Sequence, residues 1–574
     1  MKRSLILLLF LLCCSRLWAQ YSVIMHYETI HPSAKQIIHR MKWKKQYSSL
    51  AAIEQDLKEL NRRMYRGYFT AFSVDSLVNK DSVYHVYLYI GDPYLIQKIE
   101  VDGIPPAFEG EIKSGTPPFS VAEVDTYCAR WLDFLENHGY PFASLEWKDV
   151  VVGEVGYKAL IQLDTQSYIQ WDSIIVKGNA KLSRRFLSGF LQIKNGKPYQ
   201  EQIVRQLPAL LQELPYIEET QPASISFGPD KAALYLYLKK RNVNQFDGIL
   251  GLIPATDKSG KSLLSGNIKL LLHNALTLGE NISLQWNNPD YLSQNLVIAF
   301  RFPYLFGSRF GLAMDFQLEK KDTTYLQLLF APALQYYFKG NNYLSFFYRY
   351  YNTRLIATEH LSSSLQLPDP LDVDVHLYGL EVFYRRLDYL YNPRKGYSLQ
   401  ANAAIGQRTL LENTHIPAEL YKDIDRQSMQ LSTKVDVSLY VPIRKRWTAV
   451  FRVQSAAVYS EELFENELFR IGGLKTLRGF IDQSIYASTY AIFSTELRFL
   501  FYKKSFLHAF FDGGWYEKKS FGSYLNDRPF GFGLGIAFDT RAGMFSLNYA
   551  LGKQFNNPIS FKTGVVSFGY IALF

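Results

Sequence analysis

The stretch that decides the fold is MQLSTKVDVSLYV, residues 429–441. Its odd-numbered positions carry Met, Leu, Thr, Val, Val, Leu and Val, while the positions between them carry Gln, Ser, Lys, Asp, Ser and Tyr. Successive side chains of a β-strand point to opposite faces, so this alternation predicts a strand with one apolar and one polar face. Residues 312–319 alternate in the same way. Such strands suit a membrane β-barrel, with lipid outside and water inside. A soluble β-sandwich also alternates, but its strands are usually shorter and less aromatic.

The same period of two continues from about residue 245 to the C-terminus. Short turns such as FKGNN and NPRKG separate the predicted strands on one side, and longer connections lie near residues 357–376, 408–427, 460–484 and 552–563. Short turns on one side and long loops on the other are typical of outer-membrane barrels. We therefore predict a transmembrane antiparallel β-barrel of about 16 strands over residues 243–574. Its last strand ends in Phe574, at an interface that favours aromatic rings.

Composition agrees with this interpretation. Aromatic residues make up 16% of the chain, with 41 Tyr and 40 Phe, although the mean hydropathy is only −0.11. The formal charge of +10 is not concentrated in any Lys/Arg tract. We therefore expect the positive charge to face solvent and anionic lipid headgroups, and we expect no nucleic-acid partner.

The first 19 residues predict a secretory signal peptide. Lys2 and Arg3 precede the apolar run LILLLFLLCC, and Ala19 supplies a small residue for cleavage. The apolar run is too short for an anchor of about 20 residues, and no small residue precedes Cys13 and Cys14 as a lipoprotein signal requires. Cleavage would leave Cys128 as the sole cysteine, so we expect no internal disulfide.

Residues 20–242 predict three tandem modules, 20–93, 94–166 and 167–242. Extended segments open at Tyr21, Tyr94 and Tyr168, at nearly equal spacing. A helical apolar face follows the first segment, and Ser120 with Glu123 forms a capping box in the second module. Glycine-aromatic turns at residues 67 and 139 lead into closing strands, whereas the third module has ELPYIEE instead. We predict a β-α-α-β-β order in each module.

A glycine-rich loop, RIGGLKTLRGF at residues 470–480, interrupts the barrel pattern. It is not a phosphate cradle, because a strand and not a helix follows it. The segment GFGLG at 531–535 lies inside an alternating strand, where glycines permit bending, and is not a dinucleotide motif. Scattered histidines have no metal-ligand spacing. We expect no cofactor, no metal and no enzymatic activity, with a Ser-His dyad of the outer-membrane hydrolase type as an alternative.

Tandem modules followed by a barrel with this loop resemble the BamA/TamA superfamily of outer-membrane assembly factors, whose modules are POTRA domains. The resemblance covers essentially the whole mature chain, and three modules make its layout closest to TamA. The matching motifs are YNPRKGYSL (391–399), HAFFDGGWY (508–516) and GFGLGIAFDTRAGMFSLNYALG (531–552). The departure TRAG at 540–543 lacks a proline that the family often has.

The resemblance implies that this loop folds into the barrel lumen, where Arg478 pairs with Asp512. A guanidinium and a carboxylate form a two-pronged, charge-assisted hydrogen bond. The other residues of this expected lumen lock are Gly472, Gly473, Gly479, Phe480 and Gly514.

The resemblance also implies a weak seam between the first strand, near 246–252, and the last, 564–574. The expected seam residues are Gly248, Gly251, Gly564, Gly569 and Phe574. An opened seam would expose backbone that a client strand can pair with. The implied function is a non-enzymatic outer-membrane assembly factor for unfolded β-rich clients, with POTRA modules in the periplasm and a possible periplasmic or inner-membrane partner. The alternative is a two-partner-secretion-type transporter that exports a polypeptide through the lumen; a plain porin would have no use for the modules.

Overall fold

The computed structural model describes residues 21–571 except 30, 42, 45, 82, 94, 113–120, 153–155, 254–262, 289–292, 390–391, 503–504 and 541–543. The expected signal peptide, Ser120 and Phe574 lie outside the described residues. The chain divides into two compact units. The first holds residues 1–171, 196–202 and 227–232, and the second holds residues 172–195, 203–226 and 233–574.

The first module has the predicted β-α-α-β-β order: β1 (Ser22–Tyr27), α1 (Pro32–Arg40), α2 (Leu50–Arg66), β2 (Ser73–Lys80) and β3 (Val83–Tyr89). Its sheet has the order β1-β3-β2, with β1 parallel to β3 and β2 antiparallel. Ser49 caps α2 by accepting a hydrogen bond from the backbone N–H of Ala52. The apolar face of α2 packs on the sheet through fully buried Ile53 and Leu60. Strand β2 forms an exposed edge.

The second module differs from the predicted order. It contains β4 (Leu95–Asp102), α3 (Val121–Glu136), β5 (Ser144–Val152) and β6 (Gly156–Asp164), with sheet order β4-β6-β5. Where a first α-helix was predicted, the described residues form only a 3-10 turn at Pro106–Phe108. Pro106 is the first residue of this turn, a position where no backbone N–H donor is needed, so the prolines mark where the turn begins.

The third module returns to the predicted order: β7 (Gln170–Lys177), α4 (Arg184–Leu191), α5 (Glu201–Gln212), β8 (Ile217–Phe227) and β9 (Lys231–Lys240), with sheet order β7-β9-β8. Helix α4 packs against turns of the large sheet. The Phe186 ring lies where a side chain on Gly279 would have to be, and the rings of Phe190 and Tyr304 are 5.8 Å apart. These contacts explain why most of the third module clusters with the large sheet.

A large antiparallel sheet follows. Its strands are β10 (Gln245–Ile253), β11 (Leu263–His273), β12 (Asn281–Asn288), β13 (Gln294–Phe302), β14 (Phe310–Lys321), β15 (Tyr325–Lys339), β16 (Asn342–Leu355), β17 (Val373–Leu387), β18 (Gly396–Leu410), β19 (Gln427–Arg444), β20 (Trp447–Tyr459), β23 (Thr489–Tyr502), β24 (Ser505–Ser520), β25 (Ser523–Asp527), β26 (Phe530–Asp539), β27 (Met544–Lys553) and β28 (Val565–Ile571). A separate two-stranded pair, β21 (Phe469–Ile471) and β22 (Ile485–Ala487), lies in the long connection between β20 and β23.

The 17 segments of this sheet make 16 strands. Both β25 and β26 pair with β24, Asp527 opposite Tyr516 and Phe530 opposite Gly513. They are therefore two halves of one strand, interrupted where Pro529 cannot donate a ladder hydrogen bond. The Pro529 carbonyl instead accepts from the Gly514 N–H at 2.8 Å. The even number agrees with the predicted count and with barrel closure.

The two faces of the strands separate as the alternation predicts. On β19, Met429 is 61% exposed, whereas Gln430 and Ser432 are buried. The face exposed outside the protein is thus apolar, and the polar residues point inward, as in a membrane barrel. The predicted fold class, α+β modules followed by an antiparallel barrel, is confirmed. None of the described helices is both long and apolar enough to cross a membrane.

Strands β10 and β28 approach each other at the two ends of the sheet. All other neighbouring strands of the sheet are hydrogen-bonded to each other, with a register shift in three of the pairs. Among the residues that the structure describes, no hydrogen-bonded register joins β10 to β28.

Candidate functional site

The loop between β20 and β23 enters the barrel from the wall. Its last segment, β22, pairs with β21 and not with the wall, so the wall strand β23 starts at Thr489 and not at 485 as the alternation predicted. Ile471 and Leu477 are almost completely buried, in a cluster with Tyr490, Ile492 and Tyr516. An apolar side of the loop therefore packs on the inner face of the barrel.

Arg478 lies at the tip of this loop and contacts Asp512 on β24. Its Nε donates to Asp512 Oδ2 at 2.7 Å and its Nη2 to Oδ1 at 2.6 Å. The backbone N–H of Arg478 also donates to Oδ2, at 3.0 Å. The Asp512 side chain is completely buried, and that of Arg478 is 12% exposed. Three hydrogen bonds thus satisfy a carboxylate that has no access to water.

Two further wall residues hold the guanidinium. Nη1 of Arg478 donates to Glu496 Oε2 on β23 at 3.0 Å. The ring of Phe510 lies beneath the guanidinium, with its centroid 3.7 Å from the Arg478 Cζ atom. Phe510 and Asp512 point to the same face because they are two residues apart on β24. The sequence motif Phe-x-Asp therefore places a ring and a carboxylate around one cation.

The loop glycines have different roles. Gly472, Gly473 and Gly479 have φ angles of 117°, 82° and 93°, which other residues rarely adopt. A Cβ atom on Gly479 would also lie 2.7 Å from the backbone of Leu551. By contrast, a Cβ atom on Gly514 would meet nothing closer than 3.5 Å, so sterics do not require glycine there. Phe480 is partly buried against the apolar cluster of the loop.

Sequence reasoning missed the part of the wall that receives the loop tip. A Cβ atom on Gly531 would lie 1.9 Å from the Arg478 carbonyl oxygen, and one on Gly552 would lie 2.4 Å from the Gly479 carbonyl oxygen. These glycines belong to β26 and β27, and the segment GFGLG owes its first glycine to this close approach. Their position in a strand indicated a bend or a close backbone approach, but not which backbone approaches.

Two more ion pairs fasten the same connection, and both were missed. Arg470 Nη1 and Nη2 donate to the two carboxylate oxygens of Glu319 on β14, at 2.7 and 2.5 Å. Glu467 accepts from Nε and Nη2 of Arg408 on β18, at 2.7 and 2.9 Å, and both side chains are 1% exposed. No local pattern marks these pairs, because their members are 151 and 59 residues apart.

Three of the expected seam glycines lie on the two strands that lack a common register, and Gly564 directly precedes β28. Gly248 and Gly251 pair with Ile268 and Ser265 of β11. On β28, Gly569 pairs with Ser546 of β27, and a Cβ atom on Gly564 would lie 2.5 Å from the Tyr549 hydroxyl. The structure thus places these four glycines against β11 and β27, the strands next to the seam strands in the sheet. Phe574 lies outside the described residues.

The chemistry of the site is electrostatic fastening of a loop to a wall. Within the described ranges, no group of three or more His, Cys, Asp or Glu side chains is arranged to hold a metal ion. The carboxylates of Asp512, Glu319 and Glu467 are each engaged by an arginine.

Comparison with known proteins places the fold. Residues 274–570 match the model of the Omp85 superfamily domain. CdiB from Escherichia coli aligns with 96% of this chain and 100% of its own, at 15% identity and a TM-score of 0.54. CdiB from Acinetobacter baumannii aligns with 95% and 100%, at 14% identity and a TM-score of 0.52. BamA from Haemophilus ducreyi lacking POTRA domains 1–3 aligns with 84% and 100%, at 17% identity and a TM-score of 0.44. No curated protein matches the chain.

At these identities the solved structures show likeness of fold alone. The family match is stronger evidence, because it spans more than half of the chain and almost the whole barrel. The chain therefore belongs to the Omp85 superfamily, which confirms the family that its sequence predicts.

Proposed function

We propose that this protein is a non-enzymatic outer-membrane assembly factor that inserts and folds β-rich client proteins. The observation that carries the proposal is the β10–β28 seam, where the described residues share no hydrogen-bonded register. Unpaired backbone groups in lipid are strongly unfavourable, so a client strand that pairs with them is stabilised. The folding of the client itself then supplies the driving force, without nucleotide hydrolysis.

The modules support capture of the client before insertion. Strands β2, β5 and β8 are edge strands in their sheets, and most residues of β2 and β8 are solvent-exposed. An exposed edge accepts an extended peptide through main-chain hydrogen bonds and needs no particular client sequence. In this proposal the modules lie in the periplasm, where they meet unfolded clients and any periplasmic or inner-membrane partner.

The lumen loop would stabilise the barrel while its seam is open. Arg478 joins the loop to β23 and β24, and only β26 and β27 separate β24 from the seam strand β28 in the sheet. Glu319 joins it to β14 on another part of the wall. Because these contacts connect distant strands, the barrel keeps its shape when the seam strands separate.

The test compares two cross-linked forms of the reconstituted protein in a Cys128→Ser background. One form carries a cysteine on β10 and one on β28, joined by a short bis-maleimide, so that the seam cannot open. The other carries Glu319→Cys and Arg470→Cys, joined in the same way, so that the loop cannot leave the lumen. The rate at which an unfolded small barrel protein becomes protease-resistant in liposomes is measured for each form, with empty liposomes and the uncross-linked parents as controls.

The proposal predicts that the seam cross-link abolishes acceleration of client folding and that the loop cross-link leaves it intact. A two-partner-secretion-type transporter would behave in the opposite way. It would move a secreted polypeptide across the bilayer with the seam cross-linked, and the loop cross-link would stop it. That pattern, or no acceleration by the uncross-linked protein, would refute the assembly proposal.

A further inference from the structure

A cavity of about 590 Å³ lies at the end of the barrel that joins the third module. Strand β10 begins at Gln245, directly after that module, so the turns that end β17, β19 and β23 lie at the same end. These turns and the module line the cavity together, through Arg241, Tyr389, Arg394, Lys445, Arg446 and Tyr502. All of these residues belong to one compact unit.

The cavity is strongly basic. Four of its described lining residues are Lys or Arg, and Glu218 is the one acidic residue among them. Within the described part of the chain, no ion pair joins a carboxylate to the side chains of Arg394, Lys445 or Arg446. The like charges of Arg394, Lys445 and Arg446 repel one another, so an anion that enters the cavity is stabilised.

Arg394 is held in position. Its Nη2 donates to the carbonyl oxygen of Lys445 at 2.5 Å, and a weaker contact reaches that of Arg444 at 3.5 Å. Its Nε is buried and has no hydrogen-bond partner within the described structure. Carbonyl acceptors thus fix the position of the Arg394 guanidinium at the wall of the cavity.

The rim of the cavity is aromatic and faces outward. Phe501 and Tyr502 line the cavity and are 43% and 73% exposed. The neighbouring Trp447 ring lies 5.0 Å from that of Phe499, and Ile443 is also exposed. Rings of this kind gather at the boundary between headgroups and acyl chains. The basic side of the cavity is therefore at headgroup level, and its rim is beside the acyl chains.

We propose that this cavity binds the phosphate-bearing headgroup of an anionic phospholipid in the membrane leaflet on the module side. Its arginine and lysine side chains hold the phosphate, and the aromatic rim contacts the glycerol and the first part of the acyl chains. Free inorganic phosphate shares the headgroup chemistry but gains nothing from the rim. The proposal does not depend on client insertion, and its test uses no client.

The test is native mass spectrometry of the intact mature protein released from detergent micelles. Phosphatidylglycerol and phosphatidylcholine are titrated separately, and inorganic phosphate is titrated in a third series. The variant Lys445→Gln/Arg446→Gln removes two of the basic side chains. The matched control, Lys422→Gln/Lys562→Gln, removes two charges from the loops that follow β18 and β27, at the opposite end of the barrel.

We expect one phosphatidylglycerol to bind in preference to phosphatidylcholine. A basic side chain near an anionic lipid contributes about fivefold, so the double variant should weaken binding about 25-fold. The control should leave binding unchanged. Equal binding of both lipids, or equal losses in variant and control, would overturn the proposal. Inorganic phosphate that binds as tightly as phosphatidylglycerol would also overturn it, in favour of a soluble-anion site.

Discussion

The Arg478–Asp512 contact allows a quantitative prediction. The change Arg478→Ala leaves the fully buried Asp512 carboxylate with one hydrogen bond, from the backbone N–H of residue 478. Loss of one partner of a buried ion pair costs about 3–5 kcal/mol. We expect the lower end of this range, because that backbone bond survives and the Arg478 side chain is not completely buried.

The expected result is local opening of the loop. At 1.4 kcal/mol per factor of ten, a loss of about 3 kcal/mol shifts the opening equilibrium by roughly 100-fold. The opening should be confined to residues 472–484, because Arg470 and Glu467 still hold the base of the loop. Hydrogen–deuterium exchange with mass spectrometry measures it. Good reporters are the Gly472 N–H, which donates to Thr476 Oγ1 at 2.8 Å, and the N–H of residue 478.

Two variants make this prediction refutable. Lys475→Ala removes an exposed charge from the same loop and should leave exchange unchanged. Arg478→Ala/Asp512→Ala removes the carboxylate that the single change strands, so its exchange should be no faster than that of Arg478→Ala. Exchange over 472–484 in Arg478→Ala that stays within about threefold of wild type would refute the reasoning, since an uncompensated buried charge predicts far more.

Three further predictions concern steric fit, pH and thiol reactivity. Gly531→Ala would put a methyl group 1.9 Å from the Arg478 carbonyl oxygen, so it should raise hydrogen–deuterium exchange of the loop as Arg478→Ala does. Gly514→Ala should leave exchange unchanged, because the nearest atom would lie 3.5 Å from the added methyl group. Equal exchange in both variants would contradict the steric account. Burial raises the pKa of Glu213, which accepts a hydrogen bond from the Asn341 N–H. Its contribution to stability is therefore fully present below the ordinary carboxyl pKa and is lost as pH rises through the raised value. The melting temperature should fall over that interval in wild type and less in Glu213→Gln, and identical pH profiles would argue against this. Burial raises the pKa of the Cys128 thiol to about 11. Because the thiolate is the reactive form, maleimide labelling near neutral pH should be roughly 100-fold slower than for a free thiol. Labelling at the free-thiol rate would show that the thiol is not shielded.

Regular periodicity carried most of the fold prediction. Alternation in stretches such as 312–319 and 429–441 reflects two solvents, one on each face of a strand, and is therefore visible in the sequence. The second module shows the limit of this reasoning. A repeat of 73 or 74 residues predicted two helices, but the described part of that segment forms only a 3-10 turn, Pro106–Phe108. Equal spacing of the modules therefore did not fix the elements inside each one.

Resemblance to the family paired Arg478 with Asp512, which composition and spacing alone could not do. The surrounding contacts came only from the structure. Glu496, Gly531 and Gly552 converge on the loop tip because β23, β26 and β27, on either side of β24, place them on one inner face. Arg470 reaches Glu319 across 151 residues of sequence. Contacts at such separations depend on strand register and barrel closure, and neither leaves a local pattern.

The sequence by itself determined the barrel wall, the order of helices and strands in the first and third modules, and the position of the glycine-rich loop. Each of these follows from local rules: side-chain alternation along strands, amphipathic faces on helices, and backbone conformations that glycine alone adopts readily. The tertiary structure decided that 17 segments make 16 strands, that arginine–carboxylate pairs to β14, β18, β23 and β24 fasten one loop, and that a basic cavity with an aromatic rim forms at the module end. These features arise where segments far apart in the sequence meet, because only the fold brings their charged side chains and close backbone contacts together.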